Sequence, residues 1–126
     1  MYNETVLKEF ASPQNVGEMP DANGIGQAGN ESCGDLMQIF IKVVDNIIIE
    51  TSFLTFGCAA AIASSSMATS MIKGKTIEEA LTLTNKQVIA KLDGLPAQKV
   101  HCSVMAEEAV QNAIENYQQN LKNKKN

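Results

Sequence analysis

Three cysteines, one histidine and one aspartate carry the chemistry available to this chain. Cys33 and Asp35 flank Gly34, Cys58 follows Gly57, and His101 directly precedes Cys102. Together Cys33, Asp35, Cys58, His101 and Cys102 offer soft sulfur, borderline nitrogen and hard oxygen, a donor set suited to iron or zinc. Three thiolates are one short of the four that a cysteine-held iron-sulfur cluster uses, so Asp35 or His101 must complete any cluster. A carboxylate or an imidazole matches ferric-sulfide iron less well than a thiolate does, so a cluster held this way is exchangeable. Zinc is the other fit, through four of the five donors.

The plain alternative is that the cysteines are buried small apolar residues. Their placement argues against it, because each sits at the boundary of an expected element, beside Gly34, Gly57 or His101, and none lies on an apolar face. Cys58 and Cys102 each immediately precede an expected helix, where unpaired N–H groups and the helix dipole stabilise a thiolate. Both are therefore expected to be more acidic than a free thiol. Asp35 alone reads as a turn residue and His101 alone as a structural histidine, but Cys33 and Cys102 give each a chemical partner. A thiol hydrolase built on Cys58 and His101 lacks a third residue to orient the histidine.

The elements that must position these residues follow from pattern. Val6, Leu7 and Phe10 form one helical stripe between Asn3 and Ala11, and Pro13 stops it. Residues 12 to 34 hold two of the three prolines and five of the eight glycines, which reads as loop with one weak strand around Ile25. Leu36 to Val44 and Ile47 to Phe56 are rich in β-branched residues and are separated by Asp45-Asn46, a hairpin with a two-residue turn. Ala59 to Ile72 reads as a buried helix of small residues ending at Lys73-Gly74, although Ser64-Ser65-Ser66 is poor helix interior. Thr76 to Glu79 and Thr84 to Gln87 match the capping box and start two short helices. After His101-Cys102, the pattern of Val104, Met105, Ala109, Val110, Ala113, Ile114 and Tyr117 makes a final amphipathic helix.

A strand block followed by a helix block predicts an α+β fold: a small antiparallel sheet of about three strands, helices packed on one face, and a metal or cluster site at one end. Residues 1–126 read as a single domain, with 1–2 and 122–126 frayed. The 126 residues are 44% hydrophobic, enough for a core without disulfides, and an odd cysteine count cannot pair within one chain. All ten basic residues are lysines, set against 14 acidic ones, so no basic stripe is available for nucleic acid. The start lacks a cationic segment followed by an apolar run, and no stretch has the roughly 18 consecutive apolar residues of a membrane span. The expected compartment is cytoplasmic, where thiols stay reduced.

Cys33-Gly34-Asp35, Gly57-Cys58 followed by Ala61-Ile62-Ala63-Ser64-Ser65-Ser66, and Lys99-Val100-His101-Cys102-Ser103 resemble the IscU / NifU N-terminal family of iron-sulfur cluster assembly scaffolds. Pro13-Gln14-Asn15-Val16-Gly17 and Met105-Ala106-Glu107-Glu108-Ala109 extend the likeness over nearly the whole chain. The resemblance implies a scaffold rather than an enzyme: a carrier that binds iron, accepts persulfide sulfur from a cysteine desulfurase of the IscS or NifS type, builds a transient 2Fe-2S cluster and passes it to acceptor apo-proteins. Cys33, Asp35, Cys58, His101 and Cys102 match the family's cluster and metal ligands, Cys102 matches its persulfide acceptor, and Lys99 matches a lysine beside that site. Zinc in the purified apo form, a ferredoxin or frataxin-like partner, and a homodimer around the bound cluster are further implications.

Two departures from the pattern bear on these implications. The family's chaperone-docking segment reads Leu-Pro-Pro-Val-Lys, whereas this chain has Leu95-Pro96-Ala97-Gln98-Lys99, which puts a DnaK-type chaperone partner in question. The SufU branch carries an insertion between the second and third cysteines that the path from Cys58 to Cys102 lacks. The scaffold is therefore favoured over the alternative, a zinc-bound, SufU-like sulfurtransferase accepting persulfide from a desulfurase. A structural zinc module is a third reading.

Overall fold

Asp45 and Asn46 both adopt left-handed backbone angles, φ 53° and 67°, and so form the primed turn that matches the twist of a hairpin. The turn joins β2 (Asp35–Val44) to β3 (Ile47–Phe56) in antiparallel register, from Leu36 opposite Phe56 to Val44 opposite Ile47. Asparagine and aspartate tolerate this conformation, so the turn forms without glycine. A bulge between Lys42 and Val43 shifts the register and leaves Ile48 buried and Ile49 exposed. The computed structural model describes residues 2–30 and 34–124.

The glycine-rich segment is more regular than expected. Instead of one weak strand, β1 (Gly24–Asn30) pairs with β2 along its whole length, giving a three-stranded antiparallel sheet in the order β1-β2-β3. Its glycines serve contact. The long helix α5 (Val100–Lys124) crosses β1 so closely that a Cβ on Gly24 would lie 2.6 Å from the Ala113 carbonyl oxygen. A Cβ on Gly26 would run into the Ala109 carbonyl and the Ala113 amide. Small residues on both sides let the backbones meet.

The outer edge of β1 is sealed by a ladder of asparagines one helical turn apart. Asn112 Nδ2 donates to the Gln27 carbonyl (2.8 Å), Asn116 Oδ1 accepts from the Ile25 amide (3.0 Å), and Asn120 Nδ2 donates to the Asn23 carbonyl (3.1 Å). At the opposite edge, β3 is covered by Asn15 to Gly17, which exchange two backbone hydrogen bonds with Phe53, and by Gly74 and Lys75, which exchange two with Ile48.

Alternation along β2 turns Met37, Ile39, Ile41 and Val43 inward, where they form one core with Phe53 and Ile48 and with the helices above them. α2 (Ala59–Ile72) and α5 cover this face, as the α+β reading requires. The serine run sits in α2 because two of its three hydroxyls find partners, while the buried Ser64 Oγ has none among the described residues. Ser65 Oγ donates to the Ala61 carbonyl, and Ser66 Oγ donates to Glu9 and accepts from the Gln14 amide. Tertiary hydrogen bonds thus override weak propensity.

α1 (Glu4–Ala11) packs on α2, and its cap residue Asn3 also donates to the carbonyls of Leu92, Asp93 and Gly94. α3 (Ile77–Leu81) and α4 (Asn85–Lys91) both begin with the expected capping boxes, at Thr76/Glu79 and Thr84/Gln87. The Thr76 backbone amide holds Glu79 below the usual carboxylate range. One expectation needs correction. A 3-10 turn (Ala97–Lys99) leads directly into α5, so Cys102 is the third residue of that helix rather than the residue before it. Residues 122–124 belong to α5, while residues 1 and 125–126, also expected to fray, lie outside the described residues. Tyr2 packs against the core. Among the described residues, no helix is long and apolar enough to cross a membrane.

Because the Gly26 contact is with backbone, relaxation of a side chain cannot relieve it. Gly26→Ala is expected to cost at least about 2–3 kcal/mol of unfolding free energy, read as a lower urea midpoint. A midpoint equal to wild type would show that α5 does not rest on β1 in this way.

Candidate metal centre

Antiparallel pairing puts the first residue of β2 beside the last turn of β3, and α2 starts two residues after β3 ends. Asp35 and Cys58 are thereby brought to one end of the sheet, where the first turn of α5 adds His101 and Cys102. Four of the five expected donors converge there. The fifth, Cys33, lies outside the described residues.

The four form a chain of close pairs. Cys58 Sγ lies 3.7 Å from Cys102 Sγ, Cys102 Sγ 3.6 Å from His101 Nε2, and His101 Nε2 3.5 Å from Asp35 Oδ2. Donors on one tetrahedral ion at bond lengths of about 2.0–2.3 Å stand about 3.3–3.8 Å apart, so each pair is spaced as two ligands of one metal. Among the described residues no three are yet gathered around a common centre. A metal would have to draw Asp35 and Cys58, at the two ends of the chain, onto one point by side-chain rotation.

Gly57 makes the arrangement possible. A Cβ there would sit 2.5 Å from Asp35 Oδ1, so the carboxylate occupies space that any other residue would fill. Asp35 is also the orienting partner of His101 that sequence spacing did not reveal, because 66 residues separate them and only the fold joins them. One imidazole nitrogen faces both the carboxylate and the Cys102 thiol.

The two thiols behave in opposite ways. Cys58 is the N-cap of α2 and is partly exposed. Burial pushes its thiol up, but the amides of Ala61 and Ala60, the Cys102 thiol and the Lys99 charge outweigh that, and the net shift is downward. Cys102 is fully buried against Ala60 and Ala61, under Tyr2, Cys58 and Leu95. Burial, followed by the charge of Cys58, pushes it up to about 12. The expectation that both are acidic therefore holds for Cys58 and fails for Cys102, and the expectation that no cysteine lies on an apolar face fails for the same residue. The reason is that two sulfurs in contact cannot both ionise, and the buried one keeps its proton.

Lys99 stands where its charge bears on both thiols, and the negative charges of Cys58 and Tyr2 push its own ammonium up. Tyr2 is the neighbour that sequence reading missed. Burial, followed by the charge of Cys58, pushes its phenol up. A signal was available, since an apolar residue directly before the helix cap Asn3 occupies the position of a hydrophobic staple.

A family model described as the NifU-like N terminal domain matches residues 1–124. The chain belongs to that family. The scaffold protein IscU 1 of Archaeoglobus fulgidus, named for iron-sulfur cluster assembly, is 57% identical over 117 residues, covering 93% of this chain and 76% of that one. The corresponding IscU of Aquifex aeolicus is 51% identical over 118 residues, covering 92% and 75%. In fold, the chain superposes on the crystal structure of the SUF-system protein FiSufU from Fervidobacterium islandicum with a TM-score of 0.76 at 21% identity, covering 90% and 96%.

Two measurements check this electrostatic picture. Near neutral pH, iodoacetamide should label Cys58 more than about tenfold faster than Cys102 in the native chain, with the two equalising in urea; equal native rates would refute the assignment. The second concerns stability. Unfolded chains deprotonate Cys102 near 9, while the folded chain keeps the proton until about 12. Its contribution is thus complete below pH 9 and is lost as the pH climbs towards 12. Cys102→Ala should remove that share of the alkaline loss, seen as a smaller fall of the urea midpoint above pH 9 than in wild type.

Proposed function

We propose that this chain is a scaffold for iron-sulfur cluster assembly, building a 2Fe-2S cluster as cargo and releasing it to acceptor apo-proteins. The observation that carries the reading is the convergence of Cys58, Cys102, His101 and Asp35 in steps of 3.5–3.7 Å at one end of the sheet. Membership of a family whose relatives are named as such scaffolds supports it. Cys33, Cys58 and Cys102 supply three thiolates for the cargo, with Asp35 or His101 completing the set. A fourth ligand that is not sulfur keeps the cluster exchangeable, which suits a carrier that gives up what it makes. Zinc suits the same donors in the apo form.

Sulfur arrives as persulfide from a cysteine desulfurase, with Cys102 as acceptor and Lys99 attracting the anion. Because Cys102 is covered by Tyr2, Cys58 and Leu95, docking of the desulfurase has to uncover it. Phe56 is 72% exposed and lies two residues before Cys58, an apolar contact available to a partner at this end. The reading places the chain in the cytoplasm, with a second copy sharing the cluster as one mode of holding it. A ferredoxin or frataxin-like protein fits as an electron or iron donor. A DnaK-type chaperone would meet Pro96-Ala97-Gln98, in which Ala97 and Gln98 belong to the 3-10 turn.

Anaerobic incubation of apo-protein with ferrous iron, cysteine and a cysteine desulfurase is expected to give the visible absorption of a 2Fe-2S centre. Retention of zinc alone, with no coloured cluster, would instead identify a zinc-dependent sulfurtransferase. Asp35→Ala removes the carboxylate and should lengthen the lifetime of the cluster during transfer to an acceptor. Faster loss than in wild type would remove lability from the roles of that residue.

A further inference from the structure

The 3.7 Å between Cys58 Sγ and Cys102 Sγ is van der Waals contact between two sulfurs, close enough for one to react with the other as well as to share a metal. Closing a disulfide needs about 1.7 Å of further approach, between Cys58 at the cap of α2 and Cys102 in the first turn of α5. Their surroundings differ, with Cys102 fully buried behind Cys58 and Cys58 partly open at the cap of α2. Sulfur left on Cys102 when the chain closes over it again is therefore in contact with a second thiol and shielded from solvent.

We propose that Cys58 is the resolving thiol of this site, expelling sulfide from the Cys102 persulfide by forming a Cys58–Cys102 disulfide. The inference rests on the persulfide-accepting role assigned to Cys102 above. In the step, the Cys58 thiolate attacks the inner sulfur of the Cys102 persulfide. The Cys58–Cys102 bond forms, the bond between the two persulfide sulfurs breaks, and the outer sulfur leaves as HS⁻ with that bond's electron pair. Cys58 is oxidised to disulfide and the transferred sulfur is reduced to sulfide, the state in which it enters a cluster. A dithiol reductant then restores both thiols, itself becoming a disulfide, before the next sulfur arrives. The first sulfide is thus released without an external electron donor, at the place where iron is bound.

The test uses the full-length apo chain, treated with chelator, under anaerobic conditions. It is incubated with a cysteine desulfurase and one equivalent of cysteine, without added thiol. Wild type should release sulfide, lose two free thiols per chain and yield a peptide pair cross-linked through Cys58 and Cys102. Cys58→Ser keeps a good helix cap and should retain the added sulfur on Cys102, with sulfide release lowered more than about tenfold until dithiothreitol is added. The proposal is overturned if wild type holds a stable persulfide without the cross-link, if Cys58→Ser releases sulfide at the wild-type rate, if the cross-link runs through Cys33, or if no sulfur reaches the chain. The scaffold reading is judged separately, by giving the same proteins ferrous iron and inorganic sulfide. A cluster formed there, together with any overturning result, removes the resolving thiol and leaves the scaffold in place.

Discussion

Everything at the functional end of this molecule depends on two sulfurs held in contact at the N-termini of two helices. Contact disfavours charge on both, so the thiol at the open cap of α2 is the more acidic and the one buried in the first turn of α5 holds its proton more tightly. Neither helix could be placed there by its own preferences. α2 is anchored by serine and threonine hydroxyls that reach Glu9, Gln14, Thr55 and Asn15, and α5 by backbone contact with the glycines of β1. The sheet's part is to bring the start of β2 and the end of β3 to the same point, so that Asp35 and Cys58 arrive together.

Much of this was legible from residue order. The Asp45-Asn46 hairpin, both capping boxes, the small-residue helix and the separation of strands from helices all rest on local chemistry, and local chemistry decides them in the fold as well. Four of the five expected donors converge, because glycine and cysteine at element boundaries are a local signal of a site. β1 was underestimated because glycine in isolation indicates loop, whereas here Gly24 and Gly26 answer to a helix about 85–90 residues further along.

The acidity of Cys102 was illegible for a related reason. Helix position argues for a thiolate, but burial under Tyr2 and Leu95 and repulsion by Cys58 are tertiary effects that arise only when distant segments meet. The partnership of Asp35 with His101 and the packing of Tyr2 on Cys58 belong to the same class. Sequence spacing identified which atoms could do chemistry, and the fold decided which of them are charged, covered or paired.

The asparagine ladder along β1 and the backbone cover over β3 occupy part of each outer edge of the sheet. A strand added along either edge would have to displace these hydrogen bonds, which favours recognition through side chains at the cysteine end. Contacts of that kind separate without unzipping a row of main-chain hydrogen bonds. A scaffold that meets a sulfur donor, then an acceptor, and then is free again gains rapid exchange of partners from edges that are already partly occupied.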